Sequence, residues 1–332
     1  MKILVTGASG FIGGRFARFA LEQGFDVRVS GRRAEGVEHL VRRGAEFIPG
    51  DLTDGLLVRD LCVDIDAVVH CAGHRGTWGR YQDFQRDNVL VTENVVEACL
   101  KQRVRRLVHL SSAALYFDGR SHVGLTEEQV PRRFRHPYAA TKNLAEQKVF
   151  GAQEFGLEVI ALRPRCVTGA GDMSVFPRLL KMQRKGRLAI VGNGLNKVDF
   201  TSVQNLSDAL LSSLLASGSA LGKAYNISNG APIPLWDVIN YVMRQMNIAQ
   251  VTRHRSYGLA YSMGALSELA CKLWPGQPEP SQSRLGAQFM SKDFTLDISR
   301  ARHYLDYDPK VTLWAALDEF CGWWKAQQSP YR

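Results

Sequence analysis

The sequence predicts an α/β protein with a doubly wound parallel sheet in its first half and a smaller, mostly helical lobe in its second half. Two observations predict this fold. Short apolar runs within 3–5, 66–73, 105–112 and 158–164 alternate with helical patterns through the first 165 residues. A glycine-rich turn joins the first strand to the first helix, and the regular alternation loosens beyond residue 165.

The composition fits a globular protein large enough to form two lobes around a cleft, with 332 residues, 45% of them hydrophobic and 22% charged. The formal net charge of +10 suits an anionic partner, such as a phosphorylated cofactor or an acidic substrate. The arginine-rich stretches are scattered and lie in no nucleic-acid-binding motif. We therefore expect a small-molecule partner and no nucleic acid.

The six cysteines occur without a Cys-x-x-Cys pair, which favours free thiols in a reducing compartment and suggests no metal site. The chain begins at once with a strand-like run, which leaves no room for a signal peptide. No apolar run reaches the roughly 18 residues that span a bilayer. We expect a cytoplasmic protein.

The first strand, 3–5, leads into the glycine-rich turn 6–13 and then into a helix. Glycines in such a turn let the backbone approach a pyrophosphate, whose charge is met by amides at the helix N-terminus. The context therefore predicts a dinucleotide site of the Rossmann type. Its residues are Gly7, Ser9, Gly10, Phe11, Ile12 and Gly13.

The second strand, 25–30, ends without the carboxylate that an NAD-binding fold usually offers to the adenosine ribose. Arg32 and Arg33 stand there instead. Guanidinium groups can hold a 2′-phosphate in a forked contact, whereas an acid would repel it. The sequence favours NADP(H) over NAD(H), and the alternative is that both arginines begin a solvated loop.

The third and fourth strands end at the same predicted cleft. Asp51, followed by Leu52, can accept a hydrogen bond from the adenine amino group, although 51–54 also resembles a helix N-cap. Ala72 and Gly73 close the fourth strand, and the loop 74–81 after them is a candidate substrate wall. Its candidate substrate-binding residues are Arg75, Trp78 and Tyr81.

Tyr138 and Lys142 lie four residues apart, so that they share one face of a predicted helix. A cation beside a phenol lowers its pKa, and a tyrosine so tuned can exchange a proton with a substrate oxygen near neutral pH. A buried strand ends at Ser111 and Ser112, and the hydroxyl of Ser112 can bond the same substrate oxygen.

The second half carries an apolar helix at 257–274 with little contrast between its faces. The pattern leaves four interpretations open: the helix covers an apolar pocket, makes a peripheral contact with a membrane, pairs with another subunit, or packs in the core of the lobe.

The glycine turn, Ser111-Ser112 and Tyr138-x-x-x-Lys142 occur in this order, and the chain resembles the extended short-chain dehydrogenases/reductases over nearly its full length. Further matches are 88–95, 162–164, 169–172 and 199–205. Trp78-Gly79, 225–230 and the late helix before 276–280 are similar to the 3-beta-hydroxysteroid dehydrogenase branch, whose bacterial members include 2-alkyl-3-ketoalkanoate reductases.

The resemblance implies that NADPH delivers hydride to a ketone carbon while Tyr138 protonates the oxygen, and that the reverse steps oxidise an alcohol. Ser112 would polarise the substrate oxygen, and Lys142 would hold the nicotinamide ribose and lower the tyrosine pKa. The cofactor contacts implied on the nicotinamide side come from Asn88, Pro164 and Val167, with Tyr138 and Lys142.

The substrate expected from this reading is lipid-like, such as a 3-keto acid or a 3-hydroxysteroid. The types of the side chains Arg75, Trp78 and Tyr81 suit a carboxylate with an apolar tail; the alternative is a packed loop with Arg75 in solvent.

Two other functions stay open. A nucleotide-sugar epimerase or dehydratase resembles the same superfamily, but a dehydratase would need an acid and a base where 113–115 offers neither, and an epimerase usually keeps NAD bound. A redox-sensing protein that binds the dinucleotide without turnover would not need serine, tyrosine and lysine together.

We expect a dinucleotide-binding domain over 1–165, completed by parts of 188–228, and an interleaved substrate-binding lobe over 166–332. A homodimer is also expected, because a paired-helix interface is common in the wider family.

Overall fold

A seven-stranded parallel sheet forms the centre of the protein, which a computed structural model describes over residues 1–76 and 78–328. Residue 77 belongs to the predicted substrate loop, and residues 329–332 belong to the end of the predicted C-terminal lobe. These five residues lie outside the described part of the chain.

The strands are β1 (Lys2–Thr6), β2 (Asp26–Gly31), β3 (Glu46–Pro49), β4 (Ala67–His70), β5 (Arg106–Leu110), β6 (His122–Leu125), β7 (Glu158–Pro164), β8 (Val167–Thr168), β9 (Ile190–Val191), β10 (Lys197–Val198), β11 (Thr201–Ser202), β12 (Lys223–Ile227), β13 (Ile233–Pro234), β14 (His254–Arg255) and β15 (Phe294–Leu296). The helices are α1 (Phe11–Glu22), α2 (Glu38–Val41), α3 (Gly55–Leu61), α4 (Tyr81–Phe84), α5 (Val91–Lys101), α6 (Pro137–Gly151), α7 (Phe176–Arg184), α8 (Val203–Leu215), α9 (Leu235–Gln245), α10 (Tyr257–Leu273), α11 (Arg284–Phe289), α12 (Ser299–Leu305) and α13 (Leu313–Gln328).

The strand order of the central sheet is β12-β7-β5-β4-β1-β2-β3, and every neighbouring pair runs parallel. The order reverses between β1 and β4, where Thr6 pairs with Ser30 on one side and with His70 on the other. A crevice opens at the carboxyl ends of the strands at such a reversal. The predicted doubly wound sheet is confirmed, and the second half of the chain contributes its edge strand β12.

Successive side chains of a strand point to opposite faces of the sheet, and helices cover both of these faces. In β1, Ile3 and Val5 join the buried cluster that contains Phe16 of α1, whereas Leu4 joins the cluster that contains Val95 of α5. Strands buried on both faces read as continuous apolar runs, which is the pattern that predicted them.

The second half adds a four-stranded sheet in the order β13-β10-β15-β6, in which β6 comes from the first half, and two short pairs, β8 with β11 and β9 with β14. The boundaries of the two predicted domains stay a prediction. In residues 1–76 and 78–328, no helix is both long and apolar enough to cross a membrane.

One helix predicted between residues 81 and 101 is divided in the structure. A π-helical turn, Gln85–Leu90, separates α4 from α5 without breaking the helical course. Inside it, the carbonyl of Asn88 accepts a hydrogen bond from the Thr92 hydroxyl at 2.6 Å. Such turns inside helices are frequent at functional sites, and this one contains a predicted cofactor residue.

Candidate active site

The glycine turn leaves no space for side chains at two of its glycines. Gly7 has φ +70°, and a Cβ there would lie 2.7 Å from the backbone nitrogen of Ala72. A Cβ on Gly13 would lie 2.4 Å from the Gly7 carbonyl oxygen. Gly10 precedes α1 and provides no side-chain cap. The first amides of α1 therefore face the crevice as free donors, an arrangement that suits an anion.

The crevice is a cleft of about 440 Å³ at the carboxyl ends of β1, β2, β3 and β4. Eleven of the predicted cofactor residues line it, which are Gly7, Ser9, Gly10, Phe11, Ile12, Gly13, Arg32, Asp51, Leu52, Ala72 and Gly73. Arg75, a predicted substrate residue, lines it too. A nicotinamide dinucleotide fits these residues, because they combine a glycine cradle, free helix amides and a guanidinium group.

At the predicted adenosine end, Arg32 is exposed and has no ion pair within the described part of the chain. Arg33 is also exposed but does not line the cleft. The Asp51 carboxylate accepts hydrogen bonds from the backbone and hydroxyl of Thr53, both at 3.0 Å. Asp54, and not Asp51, caps α3. The stretch 51–54 therefore contains a helix N-cap, and Asp51 is not the residue that forms it.

Helix α6 begins with Pro137 at its first position and carries Tyr138 and Lys142 one turn apart. Ser112 stands two residues after the end of β5, where its hydroxyl accepts a hydrogen bond from the Ala114 backbone at 3.1 Å and interacts with the Tyr138 phenol. Burial raises the pKa of Tyr138, while the Ser112 hydrogen bond and the positive charge of Arg75 partly offset that rise. The structure brings the predicted serine and tyrosine together and holds the phenol protonated at neutral pH.

Lys142 lies on the same helix face, but its ammonium turns toward β5. Its Nζ donates to the Leu110 carbonyl at 2.6 Å and lies 3.4 Å from Nε2 of His109. Burial lowers the pKa of Lys142 to about 8. In this structure Arg75, and not Lys142, supplies the positive charge that acts on the Tyr138 phenol, so the tyrosine pKa is not lowered as the sequence predicted.

A buried hydrogen-bonded chain supports this helix face. His70 bonds Thr6 at 2.8 Å through Nδ1 and Thr92 at 3.0 Å through Nε2. Asn88 accepts from the His74 amide at 2.7 Å and donates to Thr141 at 3.0 Å. Burial lowers the pKa of His70 to about 3, and the ring stays neutral. Asn88 thus connects the loop after β4 to α6 and lies outside the cleft lining.

Pro164 ends β7 and is buried, and Val167 lies partly buried in β8. Neither residue is part of the cleft lining. Their predicted contacts with the nicotinamide side stay predictions, as do those of Asn88, Tyr138 and Lys142, and the predicted 2′-phosphate contact of Arg33 also stays a prediction.

Two aromatic rings lie beside Tyr138, those of Phe84 and His136. Phe84 lies 6.4 Å away and His136 stacks at 6.0 Å between ring centroids. Trp78 instead donates from Nε1 to the carbonyl of Gln277 at 2.9 Å, and Tyr81 begins α4 with 45% of its surface exposed. Trp78 thus joins the loop after β4 to the loop after α10, and the substrate contacts predicted for Trp78 and Tyr81 stay predictions.

Asp172 lies in the matching stretch 169–172, to which the sequence assigns no role, and the structure makes it a candidate site residue. It is fully buried, its Oδ1 accepts from the Ser174 amide at 2.7 Å, and its Oδ2 has no hydrogen-bond partner among the residues that the structure describes. Burial raises its pKa, partly offset by Ser174 and by the charge of Arg75. The neighbouring Gly171 approaches the ring of Phe11, which places Asp172 close to the cleft.

Other cleft residues were missed because nothing in their type signals binding. Ser30, Gly31, Gly50, Cys71, His74, Asp87, Val91 and Leu110 line the cleft. Several of them stand at the last position of a strand or directly after one, and that position was the available signal.

Within the described residues, no group of three His, Cys, Asp or Glu side chains could hold a metal ion.

A model of the NAD dependent epimerase/dehydratase family matches residues 3–228. Over 322 residues the chain is 37% identical to a 2-alkyl-3-oxoalkanoate reductase of Stenotrophomonas maltophilia (strain K279a), covering 94% of this chain and 96% of that protein. It is 28% identical over 327 residues to a decarboxylating sterol-4-alpha-carboxylate 3-dehydrogenase of Mus musculus, covering 96% of this chain and 89% of that protein.

Among solved structures, the UDP-glucuronic acid 4-epimerase from Bacillus cereus in complex with NAD superposes with a TM-score of 0.79. The match covers 99% of this chain and 100% of that chain at 23% identity. At this identity the likeness shows the fold alone.

Proposed function

The chain belongs to the NAD dependent epimerase/dehydratase family and is an NAD(P)-dependent oxidoreductase of its extended short-chain type, and we propose that it uses NADPH to reduce the ketone of a 3-keto acid with apolar chains. The observation that carries the proposal is the placement of Arg75 with Tyr138. A cation that lines the cleft acts on the phenol assigned as proton donor.

A 3-keto acid carries its carboxylate two carbons from the ketone carbon. A cation that binds this carboxylate must therefore lie near the group that protonates the ketone oxygen. Arg75 meets this condition, since its charge acts on Tyr138, and it has no ion pair within residues 1–76 and 78–328. The bacterial relative is named for a substrate of this class, and its identity of 37% over 94% of the chain supports the transfer.

In the proposed mechanism, Arg75 binds the carboxylate and Ser112 donates a hydrogen bond to the ketone oxygen. Tyr138, held protonated by its raised pKa, gives its proton to that oxygen as negative charge develops. Lys142 remains largely ammonium at neutral pH, because its pKa lies near 8, and it would donate to the nicotinamide ribose of the bound cofactor. NADPH, bound in the cleft, supplies the hydride.

The test uses a 2-alkyl-3-hydroxy acid with NADP⁺, because the hydroxy acid does not decarboxylate as the keto acid does. We expect oxidation of the acid and much slower oxidation of its methyl ester. Arg75→Gln should lower kcat/KM for the acid by roughly ten- to hundredfold, the loss of one charged hydrogen bond of about 1.5–3 kcal/mol, and should lower kcat/KM for the ester much less.

Arg80→Gln is the matched control, since Arg80 is exposed in the same loop and pairs with Asp83. An acid and an ester oxidised equally well by the unmodified protein would overturn the carboxylate proposal. Turnover of UDP-glucuronic acid in place of both would favour an epimerase.

We propose NADP(H) as the preferred cofactor because Arg32 lines the cleft at the end of β2 and the sequence has no acid at residues 30–33. Arg32→Asp should weaken NADPH binding by roughly ten- to hundredfold, as expected for losing a charged contact of about 1.5–3 kcal/mol, and NADH binding much less. Dissociation constants of both cofactors are the measurement, with Arg43→Asp, at an exposed arginine two residues after α2, as the control. Equal weakening of both cofactors by Arg32→Asp contradicts the 2′-phosphate contact.

A further inference from the structure

Helix α10 exposes a continuous apolar stripe. Leu259, Leu266, Leu269, Leu273 and the following Trp274 have 54%, 68%, 56%, 78% and 68% of their surface exposed. At 100° per residue, the four leucines fall within about 80° of the helix circumference. Exposed apolar side chains so concentrated mark an interaction surface.

The opposite face of α10 holds the helix in place. Ala260, Gly264 and Glu268 are buried, and a Cβ on Gly264 would lie 2.6 Å from the backbone nitrogen of Arg284. Glu268 accepts from the backbone of Arg284 at 2.7 Å and pairs with its guanidinium at 2.8 Å. The fold does not use the leucine stripe, which leaves it available to a partner.

Positive charge borders the stripe on both sides. A cleft of about 360 Å³ beside α10 is lined by Arg187 and Arg255 together with Met263 and Ser267 of the helix. Neither guanidinium has an ion pair within the described ranges. Lys272 is exposed on the other side, and the one acid of α10, Glu268, points inward. The stripe therefore combines leucines with cations and no exposed acid.

The stripe also connects to the active-site loop. The chain after α10 accepts the indole hydrogen bond of Trp78 at Gln277, three residues beyond Trp274. Two residues further, Glu279 pairs with Arg178 of α7 at 2.6 Å. Trp78 lies three residues after Arg75, which lines the cofactor cleft. A surface bound to α10 would consequently lie beside one wall of the substrate site.

We propose that α10 docks this protein on an anionic lipid bilayer, with the leucine stripe among the acyl chains and Arg187 and Arg255 at the phosphate groups. The combination of an apolar stripe with flanking cations is that of an interfacial helix. A second copy of the chain fits less well, because a symmetric pair would bring the cations around the two stripes together. The proposal does not depend on the substrate proposed above, since its readout is binding to lipid.

The test is co-sedimentation of the full chain with vesicles of phosphatidylcholine alone and of phosphatidylcholine mixed with phosphatidylglycerol. We expect binding to the mixed vesicles and little to the neutral ones. Leu266→Ser/Leu269→Ser and Arg187→Gln/Arg255→Gln should each lower the partition on the order of tenfold or more. Added salt should weaken the interaction, since the cations contribute to it.

Two double variants are the controls. Leu56→Ser/Leu215→Ser removes leucines that are 75% and 62% exposed on other helices, and Arg42→Gln/Arg43→Gln removes exposed cations after α2; both should bind like the unmodified chain. Equal binding to neutral and mixed vesicles, or unaltered binding by the leucine variant, overturns the proposal. A dimer that the leucine variant converts to a monomer, without vesicle binding, assigns the stripe to a second copy instead.

Discussion

The reactivity of Tyr138 depends on its burial and on two neighbours, which shift the pKa of its phenol in opposite directions. Burial raises its pKa, whereas the hydroxyl of Ser112 and the charge of Arg75 favour the ionised form. The first effect is the largest, so the phenol keeps its proton at neutral pH and can act as an acid toward a ketone oxygen. The same cation that is proposed to bind the carboxylate thus also eases loss of the proton.

Replacing Tyr138 by phenylalanine removes this proton and leaves the ring. We expect Tyr138→Phe to lower kcat by roughly a hundredfold to ten-thousandfold, the usual range for losing a positioned acid, with cofactor affinity nearly unchanged. Tyr304→Phe, at an exposed tyrosine of α12, controls for the substitution itself. Steady-state oxidation of the hydroxy acid and cofactor titration measure the two effects; wild-type turnover in Tyr138→Phe would remove Tyr138 from its assigned role.

At the scale of elements, the junction of β1 and α1 depends on a close backbone approach. The first turn of α1 passes so near Gly7 that even a methyl group on Gly13 would collide with its carbonyl oxygen. Backbone atoms cannot move aside as a flexible side chain can. The turn therefore fixes how far the α1 amides lie from an anion in the cleft.

Gly13→Ala should lower the free energy of unfolding by about 1–3 kcal/mol, the usual cost of overpacking. It should also reduce the additional stabilisation that NADPH gives, because the stabilisation by a bound ligand rises with the logarithm of its affinity. Gly322→Ala is the matched control: it is also helical, in α13, but has nothing within 4 Å of the added Cβ, and it should be neutral or stabilising by up to about 1 kcal/mol. Denaturant unfolding with and without NADPH gives both quantities, and identical behaviour of the two variants contradicts the close-approach argument.

Across the whole molecule, a buried polar network holds the second half of the chain against the first. Arg163 of β7 donates to Glu146 of α6 at 3.0 Å and to the hydroxyl of Tyr116 at 2.7 Å. Tyr116 in turn donates to Asn226 of β12 at 2.6 Å, and the Asn226 amide donates to Glu127 at 2.8 Å. The edge strand from the second half is thereby tied to the tyrosine helix.

Arg163→Met should destabilise the protein by about 3–5 kcal/mol, because it leaves Glu146 buried without its charge partner. Lys101→Met is the control: it breaks the exposed pair of Lys101 with Glu97 on α5, and such pairs contribute about 0–1 kcal/mol. Thermal or denaturant unfolding compares the two variants. Similar small losses in both would mean that the network does not join the two halves.

The sequence by itself determined the central sheet, the glycine cradle and the reaction type. These follow from local patterns: apolar strands, a turn that only glycine fits, and a phenol and an amine one helical turn apart. The direction in which a side chain turns depends on distant segments, and only the tertiary structure decided it. Lys142 turns to the Leu110 carbonyl, Trp78 bonds the chain after α10, Phe84 and His136 flank Tyr138, and the α10 leucines face outward. Each of these outcomes is set by contacts between residues far apart in the chain, which periodicity and motif spacing do not encode.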